Sequence, residues 1–258
     1  MKLRNSFVAA SCAAACLLSS CGRGADETMS VWMARSEMIR QAEGADLHLL
    51  GLRRVAEQAG DNELTSFAWA DVDRQVTEPE LMRNYLADNS VAFDDSLSLY
   101  RRRAADGDTL LHAWAIDNGR RLMALICLAA DDKSPDAETL RPRAKRLAET
   151  LIRHRDPKTG LWRRILLCPT GDANRVDPAA SAMITYALLK GARTGILPQD
   201  MAEAGREGLS HFAESFVKIG ETTGDGRDLL SIVDSTPDSA DNTEAVGAFM
   251  LSCLEIGL

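Results

Sequence analysis

The sequence predicts an all-α fold, a helical toroid of about four stacked helix pairs. Three observations point there. Apolar residues recur at helical spacing along most of the chain, and no stretch alternates in the manner of an amphipathic β meander. Four helices share an Asp-led start and a small or Leu-rich body, near Asp46, Asp117, Asp177 and Asp241, at steps of 71, 60 and 64 residues. Each step has room for one antiparallel pair, and repeated pairs of this size bury their faces only by stacking on neighbours. The helix after Asp177 is also rich in small side chains (Ala179, Ala180, Ser181, Ala182, Ala187), which let other helices approach closely on both flanks. It reads as an inner helix of the array.

In chain order, Met29 to Gln41 carries Trp32, Met33 and Met38 at helical spacing. Asp46 to Ala59 places Leu49, Leu52, Val55, Ala56 and Ala59 on one face, and Gly60 stops it. Asp61 suits the cap of a third helix, Leu64 to Val76, and a fourth begins after Pro79 and ends near Asp88. Ser90 to Gly107 is less regular. Asn118 to Ala129 is the next helix, and Ser134-Pro135-Asp136 opens another whose basic end is Arg153-His154-Arg155. Pro142 either kinks that helix or delays its start. Asp177 then caps a helix with Pro178 at its first position, and Gly191 and Gly195 are its stop signals. Pro198 opens a helix to about Val217. Gly220 to Asp238 reads as a loop with one apolar insert, Leu229 to Val233, and Asp241 or Asn242 caps the last helix.

The first twenty residues read as an export signal. Lys2 and Arg4 form a basic n-region, and Phe7 to Leu18 an apolar h-region too short to span a bilayer permanently. Leu18-Ser19-Ser20-Cys21 resembles a bacterial lipobox, so Cys21 is the expected lipid anchor; the alternative is an ordinary cleaved signal, which also predicts export. The expected product is one domain, residues 21–258, held at a membrane only through its lipid, on the periplasmic side or at the outer membrane. The net charge of −8 becomes −10 without Lys2 and Arg4, which leaves no electrostatic footprint for nucleic acid. Cys127, Cys168 and Cys253 lie in apolar runs at no metal-ligand spacing. They read as buried free thiols, with room for one disulfide.

The stretch Thr159-Gly-Leu-Trp162, followed by the segment from Ala180 to Pro198, resembles the second half of the bacterial unsaturated rhamnogalacturonyl hydrolases. The Ser239-Ala-Asp-Asn-Thr-Glu-Ala-Val-Gly-Ala-Phe-Met-Leu-Ser segment resembles that family's final D-N-x-G-x-G-A-F-L-L-A. With the related unsaturated glucuronyl hydrolases, these six-hairpin glycosidases form an (α/α)6 barrel. They act on sugars carrying the double bond that polysaccharide lyases leave. The resemblance implies a barrel shortened at its N-terminal side by about a hundred residues, which leaves room for a partner chain to complete the ring.

The resemblance also distributes roles. Asp46, in Gly44-Ala-Asp46-Leu-His48, matches the aspartate of D-x-L-Y-M, the family's general acid and base. It implies an unsaturated oligosaccharide substrate and hydration of a vinyl ether with no cofactor, no metal and no covalent nucleophile. On the residues alone, an Asp at a helix start serves as well for an N-cap. His48 could bond a sugar hydroxyl or tune Asp46, or be structural. Trp114-Ala-Ile-Asp-Asn-Gly-Arg120 resembles the substrate-contacting W-x-R-G-N-G-W: Trp114 and Asn118 match, Ile116 stands for the family's Arg, and Arg120 for its second Trp. Arg120 or Arg121 could replace the lost guanidinium from one turn away. Trp162 is the expected wall for stacking on a sugar ring. Arg163 and Arg164 fit either a cation pair at a cavity mouth or a solvated edge. The competing reading is a shortened lipoprotein that binds a carbohydrate or protein without turnover.

Overall fold

The computed structural model describes residues 27–71, 74, 77–107, 109–131, 134–168, 174–224, 227–233 and 239–257. The segment expected to be an export signal, and Cys21 with it, therefore lies outside the described residues. The elements in order are α1 (Met29–Arg40), α2 (Asp46–Ala59), α3 (Asn62–Ala68), α4 (Glu78–Ala87), β1 (Val91–Asp94), β2 (Leu99–Arg102), α5 (Ala115–Ala129), α6 (Ala137–Arg153), α7 (Pro178–Arg193), α8 (Met201–Phe216), β3 (Val217–Thr222), β4 (Asp228–Ile232) and α9 (Ser239–Ile256).

The four helices with Asp-led starts pack in an arc, α2 on α9, α9 on α7 and α7 on α5. They run parallel. Gly119, early in α5, faces Ala180, early in α7, while Ile126 meets Gly191 near the far ends of the same two helices. Gly247 of α9 sits against the backbone of Leu47 and His48 at the start of α2. Behind the arc, α6 backs α5, α8 backs α7, and α1 backs both α2 and α9. The inner role read for the small-residue helix holds: nearly all of α7 is buried, and α8 comes close enough to place Gly205 and Gly208 against Leu189 and Thr185.

The arc is closed by α4, which runs antiparallel to the other four. Thr77 caps it in a capping box with Glu80, so it begins at Glu78 rather than after Pro79. Its first residue, Glu78, accepts from Arg54 of α2 at 2.7 Å and from Lys190 near the end of α7. Its last turn brings the Tyr85 hydroxyl to Glu244 of α9 at 3.0 Å, with the Arg120 guanidinium of α5 over the Tyr85 ring. Leu81 and Met82 fill the inside, while Glu80, Arg83, Asn84 and Ala87 face water.

Burial works against the Glu78 carboxylate, but the Lys190 ammonium and the Arg54 guanidinium together outweigh it and hold the pKa down at about 2. That contribution to stability is complete above the ordinary glutamate pKa near 4.5 and is lost as pH falls toward 2. A shift of that size corresponds to roughly 3 kcal/mol. Glu78→Gln is therefore expected to lower unfolding free energy by about that much at neutral pH and by much less at pH 3. Urea titrations of both proteins at the two pH values measure it.

Several details differ from the sequence reading. Two β-hairpins interrupt the helices, β1–β2 paired from Val91↔Arg102 to Asp94↔Leu99, and β3–β4 from Val217↔Ile232 to Thr222↔Asp228. Both strand pairs are too short to show a run of alternation. The third helix ends at Ala68, not near Val76, because the buried Arg53 side chain accepts no further turn: its Nε donates to the Ala68 carbonyl and its Nη2 to that of Arg74. The fifth begins three residues early, at Ala115, which makes Trp114 its cap residue. Helix α6 starts ahead of Pro142 and runs through it. Gly191 lies inside α7, and only Gly195, with φ of +73°, stops the chain. Asp241 and Asn242 fall within α9 instead of capping it. Cys127 and Cys253 are buried free thiols as expected, Cys168 is free but exposed, and the described residues contain no disulfide.

Candidate active site

The starts of α2, α5 and α9 and the end of α4 converge on one end of the molecule, where arginine–carboxylate pairs collect. Asp46 is the first helical residue of α2; the cap is Ala45, and no side chain caps the helix. The carboxylate is not consumed by capping. Its Oδ1 accepts from Arg74 Nη2 at 2.8 Å, and Arg74 Nη1 donates to the Gly44 carbonyl at 2.9 Å. Next to it, the Ala45 N–H donates to Thr243 Oγ1 at 3.2 Å, which ties the start of α2 to α9 one residue from Glu244.

Glu244 is nearly enclosed. Its Oε1 accepts from the Tyr85 hydroxyl at 3.0 Å and its Oε2 from Arg120 Nη2 at 2.5 Å. Burial raises the Tyr85 pKa, and the charges of Glu244 and, more weakly, Asp46 raise it further, so the phenol stays a donor. Burial disfavours the Arg120 cation, yet Glu244 more than compensates and its pKa rises. On the α5 side, Arg102 from β2 grips Asp117 with two bonds, Nε to Oδ2 at 2.7 Å and Nη2 to Oδ1 at 3.2 Å, and lies 5.3 Å over the Trp114 ring. Its hydrogen bond with Asp117 raises the Arg102 pKa against the effect of burial. Arg121 is buried, donates to the Asp88 carbonyl at 2.5 Å, and has its pKa lowered by desolvation.

These pairs differ in what their separation costs. Glu244 and Asp117 retain only 8% and 6% side-chain exposure, so removing Arg120 or Arg102 strands a buried anion at about 3–5 kcal/mol. Asp46 and Arg74 are 36% and 39% exposed, and such a pair contributes about 0–1 kcal/mol. Asp46, paired with a similarly exposed Arg74, is free to exchange its partner.

Of the other residues named from the sequence, three are corrected by their surroundings. His48 is fully buried on the face of α2 turned to α1, with Nε2 bonded to Glu37 at 3.0 Å, so its ring meets no sugar. Trp162 is fully buried and donates Nε1 to the Leu151 carbonyl at 2.7 Å; it is a core aromatic, not a stacking wall. Asn118 is also fully buried. Its amide bonds the N–H and carbonyl of Tyr100 at 2.8 and 2.9 Å and the Trp114 carbonyl at 2.8 Å, stapling the β1–β2 hairpin to α5.

Trp114 is half-buried with Arg102 on one face, and Ile116, where the resembled motif has Arg, is buried. Arg120 is at the cluster but is held by Glu244. Arg164 lies on the strand-like stretch beside the start of α5, where its carbonyl accepts from the Ala115 N–H at 2.8 Å. Its neighbour Arg163 is a structural tie to Asp156 at 2.5 Å and to the Asn174 carbonyl. Arg74, Tyr85, Arg102 and Glu244 were not legible as site residues. Among the described residues, no group of His, Cys, Asp and Glu is placed to hold a metal ion.

The family model described as Glycosyl Hydrolase Family 88 matches residues 111–255. Protein Atu3128 of Agrobacterium fabrum and the 24.9 kDa protein in picA locus of Rhizobium radiobacter are each 36% identical over 114 residues, 42% of this chain and 48% of theirs. The chain thus spans about half the length of the curated relatives it matches. A glycoside hydrolase from family 105 of C. acetobutylicum superposes with a TM-score of 0.70 at 16% identity, over 90% of this chain and 99% of that one. A glycosyl hydrolase family 88 protein of Bacteroides vulgatus reaches 0.50 at 15% identity, over 82% and 73%. At 90% of this chain, the likeness in fold reaches well ahead of the matched residues. On the match that takes in α5 through most of α9, the chain belongs to Glycosyl Hydrolase Family 88.

Proposed function

We propose that the protein hydrolyses unsaturated uronyl sugars of the kind released by polysaccharide lyases, with Asp46 as both acid and base. The observation that carries the reading is the Asp46 carboxylate itself: half-exposed, unused by the helix it opens, and set beside a buried Glu244–Tyr85–Arg120 cluster. In the reaction, the Asp46 carboxyl gives its proton to the ring carbon at the far end of the vinyl ether. Water adds to the carbon that bears the ring oxygen, and Asp46 takes the proton that this water loses. The resulting hemiketal opens and releases the partner sugar, with one water consumed and Asp46 restored. A metal or covalent enzyme intermediate has no part in this scheme.

The test is loss of the ultraviolet band of the unsaturated uronate on mixing the protein with disaccharides from pectin or glycosaminoglycan lyase digests. An untouched band across that panel removes the hydrolase reading. It would then favour a second one, a toroid that binds a carbohydrate or protein partner without turnover, which the buried Ile116 in place of arginine supports. We also propose export with lipid attachment at Cys21. Mass spectrometry of the membrane fraction would detect a diacylglyceryl-modified N-terminus, lost in Cys21→Ala.

A further inference from the structure

The resembled motif lacks its arginine, and the arginines paired at the site end differ in how readily they could turn to an incoming carboxylate. Arg120 and Arg102 are committed to enclosed anions, Glu244 and Asp117, and leaving either would strand it. Arg121 is buried and turned to the Asp88 carbonyl. Arg74 is different: both it and its partner Asp46 reach water. Its backbone is nonetheless fixed, because the buried Arg53 donates Nη2 to the Arg74 carbonyl at 2.7 Å and Nε to the Ala68 carbonyl at 3.1 Å. Arg74 is thus a tethered cation, held also by its Nη1 on the Gly44 carbonyl, whose bond to Asp46 is readily exchanged and which stands next to the carboxylate assigned the chemistry.

We propose that Arg74 binds the carboxylate of the substrate, leaving Asp46 to do so. The identity of the ligand rests on the hydrolase reading above. In the free protein the guanidinium keeps Asp46 engaged as an acceptor only. A planar carboxylate arriving from the substrate offers Arg74 a bidentate partner in place of that contact. Asp46 Oδ1 is then released to carry and deliver a proton. One exchange both selects an acidic sugar and arms the acid, so a neutral sugar would neither be held nor release Asp46.

The probes are an unsaturated uronyl disaccharide and its methyl ester, each followed by turnover and by calorimetric binding to wild type, Arg74→Gln and Arg74→Lys. Wild type is expected to prefer the acid by roughly tenfold to a hundredfold, the range of a charge-assisted contact. Arg74→Gln should lose that preference through KM and binding of the acid, with the ester little changed, and Arg74→Lys should recover part of it. An equal loss on acid and ester, or no change on either, overturns the assignment. The two readings separate cleanly. Binding of the acid that depends on Arg74 without turnover defeats the hydrolase and leaves the carboxylate site. Turnover with no acid preference at Arg74 does the reverse. Failure to bind either probe defeats both.

Discussion

Asp46→Asn is expected to lower kcat on an unsaturated uronyl disaccharide by about 10²–10⁴-fold, the usual contribution of a positioned acid or base. Stability should hardly move. The Asn side chain keeps the shape and one oxygen for Arg74, and the lost ion pair is half-exposed. The helix start loses an acidic residue worth about 0.3–1 kcal/mol to its dipole, so the melting temperature should drop by only a few degrees. What Asn cannot do is take a proton from water and return it. Initial rates of band loss, measured beside thermal melts, check both halves. A variant that keeps more than about a tenth of wild-type kcat would move the acid elsewhere, and Glu244, in the cluster beside Asp46, is the carboxylate to test next.

The largest structural effect is expected at Gly247. A Cβ there would stand 2.3 Å from the Leu47 carbonyl oxygen and 2.8 Å from the His48 Cα. Those are backbone atoms of α2 and cannot rotate aside as a side chain would. On the opposite helix, a Cβ at Gly51 would meet the Gly247 carbonyl at 2.8 Å, so the two glycines mark one close crossing. Alanine at 247 gains about 1 kcal/mol of helix propensity and loses more by forcing the helices apart. We expect a net loss of about 3 kcal/mol for Gly247→Ala, or roughly 6–12 °C in melting temperature for a domain of this size. Gly224→Ala, with nothing within 4 Å, is the neutral control. Because Asp46 directly precedes the contact, activity should fall with Gly247→Ala even where the protein remains folded. Equal melting temperatures for the two variants would place α2 and α9 farther apart than they stand here.

The inner arc was legible because its signal is chemical as well as periodic. An aspartate at or near a helix start is favoured by unpaired N–H groups, and Asp46, Asp117 and Asp177 lie there in the structure. The tight packing around α7 could be read from its alanines. The hairpins could not be read, since strands of four to six residues carry no pattern longer than noise. At the site, Asp46 was reached through its resemblance to a motif. Its partners were out of reach because an isolated Arg, Glu or Tyr announces nothing in sequence. Arg74 lies 28 residues from Asp46, and Glu244 lies 124 from Arg120 and 159 from Tyr85. Trp162 and His48 misled for the complementary reason: a residue type suited to sugar contact is equally suited to the core, and only the packing around Leu151 and Glu37 decides.

The helix that closes the arc is also thinly anchored. With Leu81 and Met82 as its fully enclosed side chains and one whole flank in water, α4 has few apolar contacts to resist local opening. Yet its two ends hold the Arg54–Glu78–Lys190 tie and the Tyr85–Glu244 bond. One transient unwinding would release both at once, so the amides of Leu81 to Leu86 should exchange with deuterium sooner than those of α7. The lifetime of the Glu244 cluster is then set by how often this short helix comes undone, not by the strength of its own hydrogen bonds.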